Sequence, residues 1–168
     1  YKDTAVLDFK VMEDEAIVAG AVYEAGLDEC FYAWKGGGAF LNDKQIRVSK
    51  ASKVADSLIA TGFPYTNFSK MDQFIESLNY FMQNSHGMRR LGSAAADLAY
   101  VACGRIDAFY EYDLKAWDVA AGAFIIQEAG GKVSDFSGGN NYLFGRQIVA
   151  ANSLVFDEMQ TTVAGYLK

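Results

Sequence analysis

Short β-like apolar runs joined by polar and glycine turns fill the first fifty positions. Ala5 to Met12, Ala16 to Tyr23, Glu29 to Lys35 and Gln45 to Val48 read as strands of an antiparallel meander. Glu13-Asp14-Glu15 reads as a hairpin turn, and Gly36-Gly37-Gly38 supplies the positive φ angles of a tight loop. Past residue 50 the texture changes to alternating strands and helices. Ser57 to Thr61 is a short strand ending in the turn Gly62-Phe63-Pro64-Tyr65. Met71, Phe74, Ile75, Leu78, Phe81 and Met82 recur at i, i+3, i+4 and i+7, which predicts a one-faced helix over Met71 to Met82. A helix follows Gly92-Ser93 and stops at Gly104, a C-terminal cap. Ile106 to Tyr112 is strand-like, and Asp118 to Ala129 is helical and nearly apolar all round, hence buried. Lys132 to Phe136 and Gln147 to Ala151 are strands, and Leu154 to Leu167 is a helix with Val155, Met159 and Val163 on one face. These elements predict a layered α/β fold (α+β), with residues 1–50 the antiparallel β portion of an incomplete N-terminal domain and residues 51–168 an α/β C-terminal domain.

Composition narrows the chemistry. The 168 residues are 51% hydrophobic and 21% charged, so a packed core is expected and global disorder is not. A net charge of −6 argues against a general binder of nucleic acid or of anionic membranes. No apolar run approaches the roughly 18–20 residues that cross a bilayer. With one histidine, His86, and two cysteines, Cys30 and Cys103, a Cys/His zinc cluster is ruled out, and two free thiols in a reducing cytoplasm are expected. Any metal chemistry must use oxygen ligands.

The densest candidate chemistry runs from Gly92 to Gly131. Gly-Ser-Ala-Ala-Ala-Asp opens a helix there. Ser93 is either a plain N-cap or part of an anion site made with the free amides of Ala94 and Ala95 and the helix dipole. Glu111, Asp113 and Asp118 then fall within eight positions at the C-terminal edge of a strand, where open α/β sheets gather ligands. Asp118 reads either as an N-cap carboxylate or as an oxygen ligand for Mg²⁺, and alone it cannot complete a magnesium site. Gly36-Gly37-Gly38 lacks the Gly-Lys-Ser/Thr ending of a phosphate-binding loop and reads as a turn. Cys103 reads as a small core residue and His86 as an exposed loop residue. Arg89-Arg90 either steers phosphate or is solvated surface. The aromatics Tyr23, Phe31, Tyr32, Trp34, Phe109 and Tyr110 follow strand spacing and read as core or interface.

The run from Leu91 through Glu111, then Trp117-Asp118-Val119-Ala120-Ala121-Gly122 and Glu128-Ala129-Gly130-Gly131, resembles the C-terminal signature of the inositol monophosphatase family. Gly20 to Glu24, Gly36 to Asn42 and Ile46 to Ser49 resemble that family's central sheet. The resemblance implies a layered αβαβα sandwich, a homodimer, and a Mg²⁺-dependent phosphomonoesterase in which metal-activated water attacks the phosphate of a small polyol or sugar, inositol 1-phosphate foremost. By position, Asp118 matches a metal ligand, and Glu111 matches the carboxylate that bonds substrate hydroxyls. Gly92, Ser93 and Ala94 match the helix start lining the substrate pocket, and Lys115 lies in the variable loop that helps choose the alcohol. The partner implied is a small phosphorylated substrate, with neither nucleic acid nor membrane, in the cytoplasm. The family's acidic D-P-[IL]-D-G-T element and a glutamate of an earlier helix are not matched; the one proline, Pro64, follows Phe63. The expectation is therefore of the family's C-terminal two-thirds, its N-terminal layer incomplete, and inactive alone. A 3′(2′),5′-bisphosphate nucleotidase, a fructose-1,6-bisphosphatase-like enzyme, and a non-catalytic binding or assembly subunit are the alternatives.

Overall fold

The computed structural model describes residues 6–13 and 16–168, with side chains described from residue 12 onward. The expected turn over Glu13-Asp14-Glu15 and the start of the first strand at Ala5 fall partly outside the described residues. Strands β1 (Val6–Glu13), β2 (Ala16–Glu24), β3 (Glu29–Trp34), β4 (Gly38–Leu41) and β5 (Lys44–Ile46) form one sheet in chain order. Every pair in it is antiparallel, with Val22 opposite Phe31 and Ala33 opposite Ala39. These four residues face inward and are buried, so the side-chain period of two sets one face of the meander against the core. The outer face carries Tyr32, Trp34 and Phe40, stacked with ring centroids 5.1 to 6.3 Å apart.

The second sheet is built from β6 (Leu58–Thr61), β7 (Gly87–Arg89), β8 (Ala108–Tyr112), β9 (Gly131–Ser134) and β10 (Gln147–Asn152), in the order β7-β6-β8-β10-β9. β6 runs parallel to β7 and β8, whereas β10 runs antiparallel to β8 and β9. Helices α2 (Ala94–Ala102) and α3 (Ala116–Glu128) lie between the sheets, and α1 (Met71–Asn84) and α4 (Phe156–Leu167) cover the far face of the second sheet. Alternate residues of β8 serve the two layers: Phe109 joins the core around α2 and α3, and Tyr110 joins the core around α1 and α4. The order is thus helix, sheet, helix, sheet, which is the α/β layering expected. Close approach in the middle layer depends on small residues. A Cβ on Gly122 would meet Leu98 at 2.6 Å, and one on Gly20 would meet Ala121 at 3.1 Å.

The structure departs from the sequence pattern at several elements. β4 and β7 were not expected as strands; both are short, and their pairing comes from neighbours supplied by distant sequence. In α1, Phe74 and Phe81 are buried, but Ile75 and Met82 are more than half exposed, because the helix packs on one narrow seam rather than on its whole apolar stripe. In α4, Val155 at the cap and Met159 and Val163 on the helix are all fully buried, as the spacing requires. Gly36-Gly37-Gly38 is a turn, with φ of +72° at Gly36 and +82° at Gly38. Its amides are not idle: Gly36 and Gly38 N–H each donate, at 3.1 Å, to the carboxylate of Glu128 at the end of α3. Both cysteines are free, and burial pushes both thiols up, away from reactivity. No helix among the described residues is long and apolar enough to cross a membrane.

Candidate active site

Because β6 and β8 are parallel, their C-terminal ends open on the same edge, and the helices that follow begin there. A cavity of about 620 Å³ occupies this edge. Gly92, Ser93, Ala94, Glu111, Lys115 and Asp118 all line it, so residues spread over twenty-seven positions of sequence share one wall. Two helix N-termini, those of α2 and α3, converge on it and favour negative charge or oxygen acceptors.

Ser93 is the N-cap of α2: its backbone is extended, and its Oγ accepts from Ala96 N–H at 3.4 Å. The amides of Ala94 and Ala95 have no acceptor within the helix, and both residues line the cavity. Gly92, with φ of +101°, makes the sharp entry into that cap. Ser93 is thus an N-cap, and its bond to Ala96 N–H does not engage the first two amides of the helix.

Asp118 does not sit where an N-cap would. Lys115 is the N-cap of α3 and Asp118 is the third helical residue; its Oδ2 reaches back to accept from Lys115 N–H at 2.8 Å. The reason is the extended backbone of Lys115, which turns its N–H toward the first helical turn. That leaves Oδ1 of Asp118 for another partner. Lys115 itself is exposed at the rim, beside Trp117, which is 69% exposed.

Of the three acids close in sequence, Asp113 is otherwise engaged. Its Oδ2 accepts from Thr66 N–H at 3.0 Å, Thr66 Oγ1 at 2.7 Å and Asn67 N–H at 3.0 Å, and its Oδ1 pairs with Arg146. It thus ties the loop after β6 to the loop before β10. Arg89 and Arg90 also part company. Arg89 donates to Met88 O, whereas Arg90 lines the cavity, bonds Tyr65 Oη at 2.8 Å and stacks over Phe63 at 5.3 Å. His86 is an exposed loop residue.

Glu111 is 6% exposed, and its carboxyl is pushed up to about 8. Burial is the main cause; Asp97 adds to it, Arg90 opposes it, and Asp118 and Asp113 contribute further. Asp97, in the first turn of α2, was not singled out from the sequence. It is 1% exposed, lines the cavity, and has both carboxylate oxygens buried without a hydrogen-bond donor. Burial pushes its carboxyl up to about 8 against the pull of Arg90. The signal for it was present: an acid inside the run Ala94 to Ala102, which is otherwise apolar.

This concentration of poorly compensated carboxylates suits a cation or a hydroxyl donor. Magnesium is bound through one or two carboxylates with water and substrate phosphate, and Asp118 Oδ1 fits one such position. Among the described residues, no group of three His, Cys, Asp or Glu side chains is placed to hold a metal ion. The residues fit a share of a magnesium site, not a closed one.

Residues 11–166 match the Inositol monophosphatase family. The chain is 46% identical over 139 residues to an inositol-1-monophosphatase of Mesorhizobium japonicum, an alignment covering 83% of this chain and 52% of that protein. It is 44% identical over 146 residues to a putative Nus factor SuhB of Neisseria meningitidis serogroup B, covering 87% of this chain and 56% of the relative. Its structure superposes on the crystal structure of the extragenic suppressor protein suhB from Bartonella henselae with a TM-score of 0.89 and 39% identity, over 94% of this chain and 60% of that one. The chain therefore spans about half the length of the curated relatives it matches. On the family match and on the 46% identity, the chain belongs to the inositol monophosphatase family.

Proposed function

We propose that the chain forms the substrate-binding part of a Mg²⁺-dependent phosphomonoesterase acting on a small polyol or sugar phosphate, with inositol 1-phosphate as the foremost substrate. The observation that carries this reading is the convergence of two helix N-termini and the buried acceptor Glu111 on one cavity. The amides of Ala94 and Ala95 donate to substrate oxygens. Glu111 accepts from a hydroxyl of the alcohol portion and orients it. Asp118 offers Oδ1 to magnesium, while its bond to Lys115 N–H holds the carboxylate in place. Magnesium, when bound, supplies activation of water and stabilisation of the leaving oxygen. Trp117, Phe63 and Tyr65 at the rim restrict water around the bound alcohol. Turnover needs further carboxylates of the kind found in the family's acidic element, which this sequence does not match. The family resemblance supports a homodimer and a cytoplasmic setting.

The test is phosphate release by the protein that bears this chain, with Mg²⁺ and with a chelator, from inositol 1-phosphate, a 3′(2′),5′-bisphosphate nucleotide and fructose 1,6-bisphosphate. Mg²⁺-dependent release with inositol 1-phosphate preferred is the expected result. Preference for the nucleotide removes the inositol assignment. A second reading, a non-catalytic binding or assembly subunit, draws support from the relative named as a Nus factor. A folded protein that releases no phosphate from any of the three substrates favours it.

A further inference from the structure

Two arginines line the cavity, and they are held differently. Arg146 is paired with Asp113. Arg90 forms no ion pair among the described residues, and of its five N–H donors one, on Nη2, is used, toward Tyr65 Oη at 2.8 Å. Yet its guanidinium is held in place. It lies over the Phe63 ring, 5.3 Å from the centroid, and its Nη1 is 2.9 Å from where a Cβ on Gly92 would stand. Gly92 makes the entry to α2, so the guanidinium is bounded on three sides beside that helix start. Fixing a long cationic side chain costs rotamer freedom that solvation alone does not require. Nor is Arg90 the counter-charge of the buried acids: it pulls the Asp97 and Glu111 carboxyls down, but burial outweighs it and leaves both pushed up to about 8.

Strand order sets what this free cation can meet. β6 lies between β7 and β8 in the second sheet. Arg90 arrives from the end of β7 and Glu111 from β8, and they come to rest on neighbouring residues of the turn after β6. The guanidinium covers Phe63, and the carboxyl lies against Gly62. Consecutive Cα atoms are about 3.8 Å apart, so an acceptor for hydroxyls and a cation stand side by side on one wall without pairing. Asp118 belongs to the start of α3, the helix that follows β8.

We propose that Arg90 is a specificity-determining residue that receives a second phosphate carried by the alcohol portion of the ligand, so that the cavity takes a polyol bisphosphate with one phosphate at Asp118, a hydroxyl at Glu111 and the other phosphate at Arg90. The N–H groups left on Nη1 and Nε suit two oxygens of one phosphate, the fork in which a guanidinium binds that group. Tyr65 and Phe63 hold the fork in place. Inositol 1-phosphate occupies the same site and leaves this end of it unfilled. The proposal rests on the reading of the cavity as a polyol phosphate site with Glu111 at the alcohol.

Calorimetry on the protein that bears this chain, with a chelator present so that neither ligand is turned over, compares inositol 1,4-bisphosphate with inositol 1-phosphate. The second phosphate of the first ligand lies across the ring from the one they share. The unmodified protein is expected to bind the bisphosphate about tenfold or more tightly, the scale of charge-assisted hydrogen bonds to phosphate. Arg90→Gln, which removes the charge and the fork, is expected to lower that ratio about tenfold. Tyr65→Phe, which removes the Oη that fixes Nη2, is expected to lower it about threefold. No preference for the bisphosphate, or a preference that Arg90→Gln leaves intact, overturns the proposal. So does an equal loss of both ligands in Arg90→Gln, the mark of an arginine that only supports the cavity. Where the folded, unmodified protein binds neither ligand, the polyol phosphate reading falls and this proposal with it; where it binds the monophosphate and the ratio does not move, this proposal falls alone. Should Arg90→Gln not fold, Tyr65→Phe decides, since that ring is 72% exposed.

Discussion

Gly62 lies flat against the carboxylate of Glu111, so close that a Cβ at position 62 would fall 2.1 Å from Oε2. Gly62 is not in the left-handed region of φ, so its lack of a side chain serves space and not backbone geometry. Gly62→Ala must therefore push Glu111 out of its place. The expected outcome is a loss of at least about tenfold in inositol 1-phosphate binding, with a stability cost under about 2 kcal/mol because the displaced group is a side-chain tip. Calorimetry with inositol 1-phosphate and methyl phosphate, beside a thermal melt, checks both parts. Unchanged binding removes Glu111 from the alcohol site.

The pH dependence of stability follows from the buried acids. Asp97 and Glu111 have carboxyls pushed up to about 8, burial being the first cause for each. In the unfolded chain they titrate near the ordinary values of about 3.9 and 4.3. Between those values and about 8 the folded chain binds more protons than the unfolded one. Their contribution is thus complete at acid pH, below the unfolded values, and lost as pH rises through the folded ones. The melting temperature of the metal-free chain is expected to fall from about pH 5 to about pH 8.5, and Asp97→Asn is expected to flatten that slope. A melting temperature that rises over this interval contradicts the burial of these two acids.

Asp113 works in the opposite sense. Burial by itself raises its carboxyl, but the Thr66 and Asn67 donors and the Arg146 guanidinium outweigh burial and hold it below the usual range. Its contribution is present above the ordinary aspartate value of about 3.9 and lost as pH falls through the lower folded value. Asp113→Asn keeps the shape, but its charge-assisted bonds become ordinary ones. A cost of about 1–3 kcal/mol is expected, or roughly 2–10 °C in melting temperature. The loop at Thr66 and Asn67 should show the largest gain in amide exchange; protection unchanged there would mean the loop is held by other contacts.

Asp118→Asn separates metal from fold. The amide oxygen can still accept from Lys115 N–H, so stability is expected to stay within about 0.5 kcal/mol. Mg²⁺-dependent phosphate release by the protein bearing this chain is expected to drop by on the order of 100-fold or more. Normal release from a folded Asp118→Asn protein excludes Asp118 as a ligand.

Much of this architecture is legible in local pattern. Tyr110 and Phe109 alternate between two cores because adjacent strand residues face opposite ways, and Val155, Met159 and Val163 share a side because four residues make about one helical turn. The Ser93 cap and the burial of α3 are likewise local, one from residue chemistry at a helix start and the other from an uninterrupted apolar run. Where periodicity misleads, as for Ile75 and Met82 on α1, the sequence marks an apolar face but not how much of it a neighbour will cover.

The character of the acids is a different matter. Glu111, Asp113 and Asp118 stand within eight positions and look alike along the chain. One is buried under Gly62, one is spent on Thr66, Asn67 and Arg146, and one is braced by its own helix start. Asp97 is drawn into their company from fourteen positions before Glu111. Propensity and period are properties of neighbours in sequence, so residue type and spacing suffice for them. Burial, charge coupling and the space left beside a carboxylate depend on which distant segments meet, and only the packing of β6 and β8 against α2 and α3 decides that.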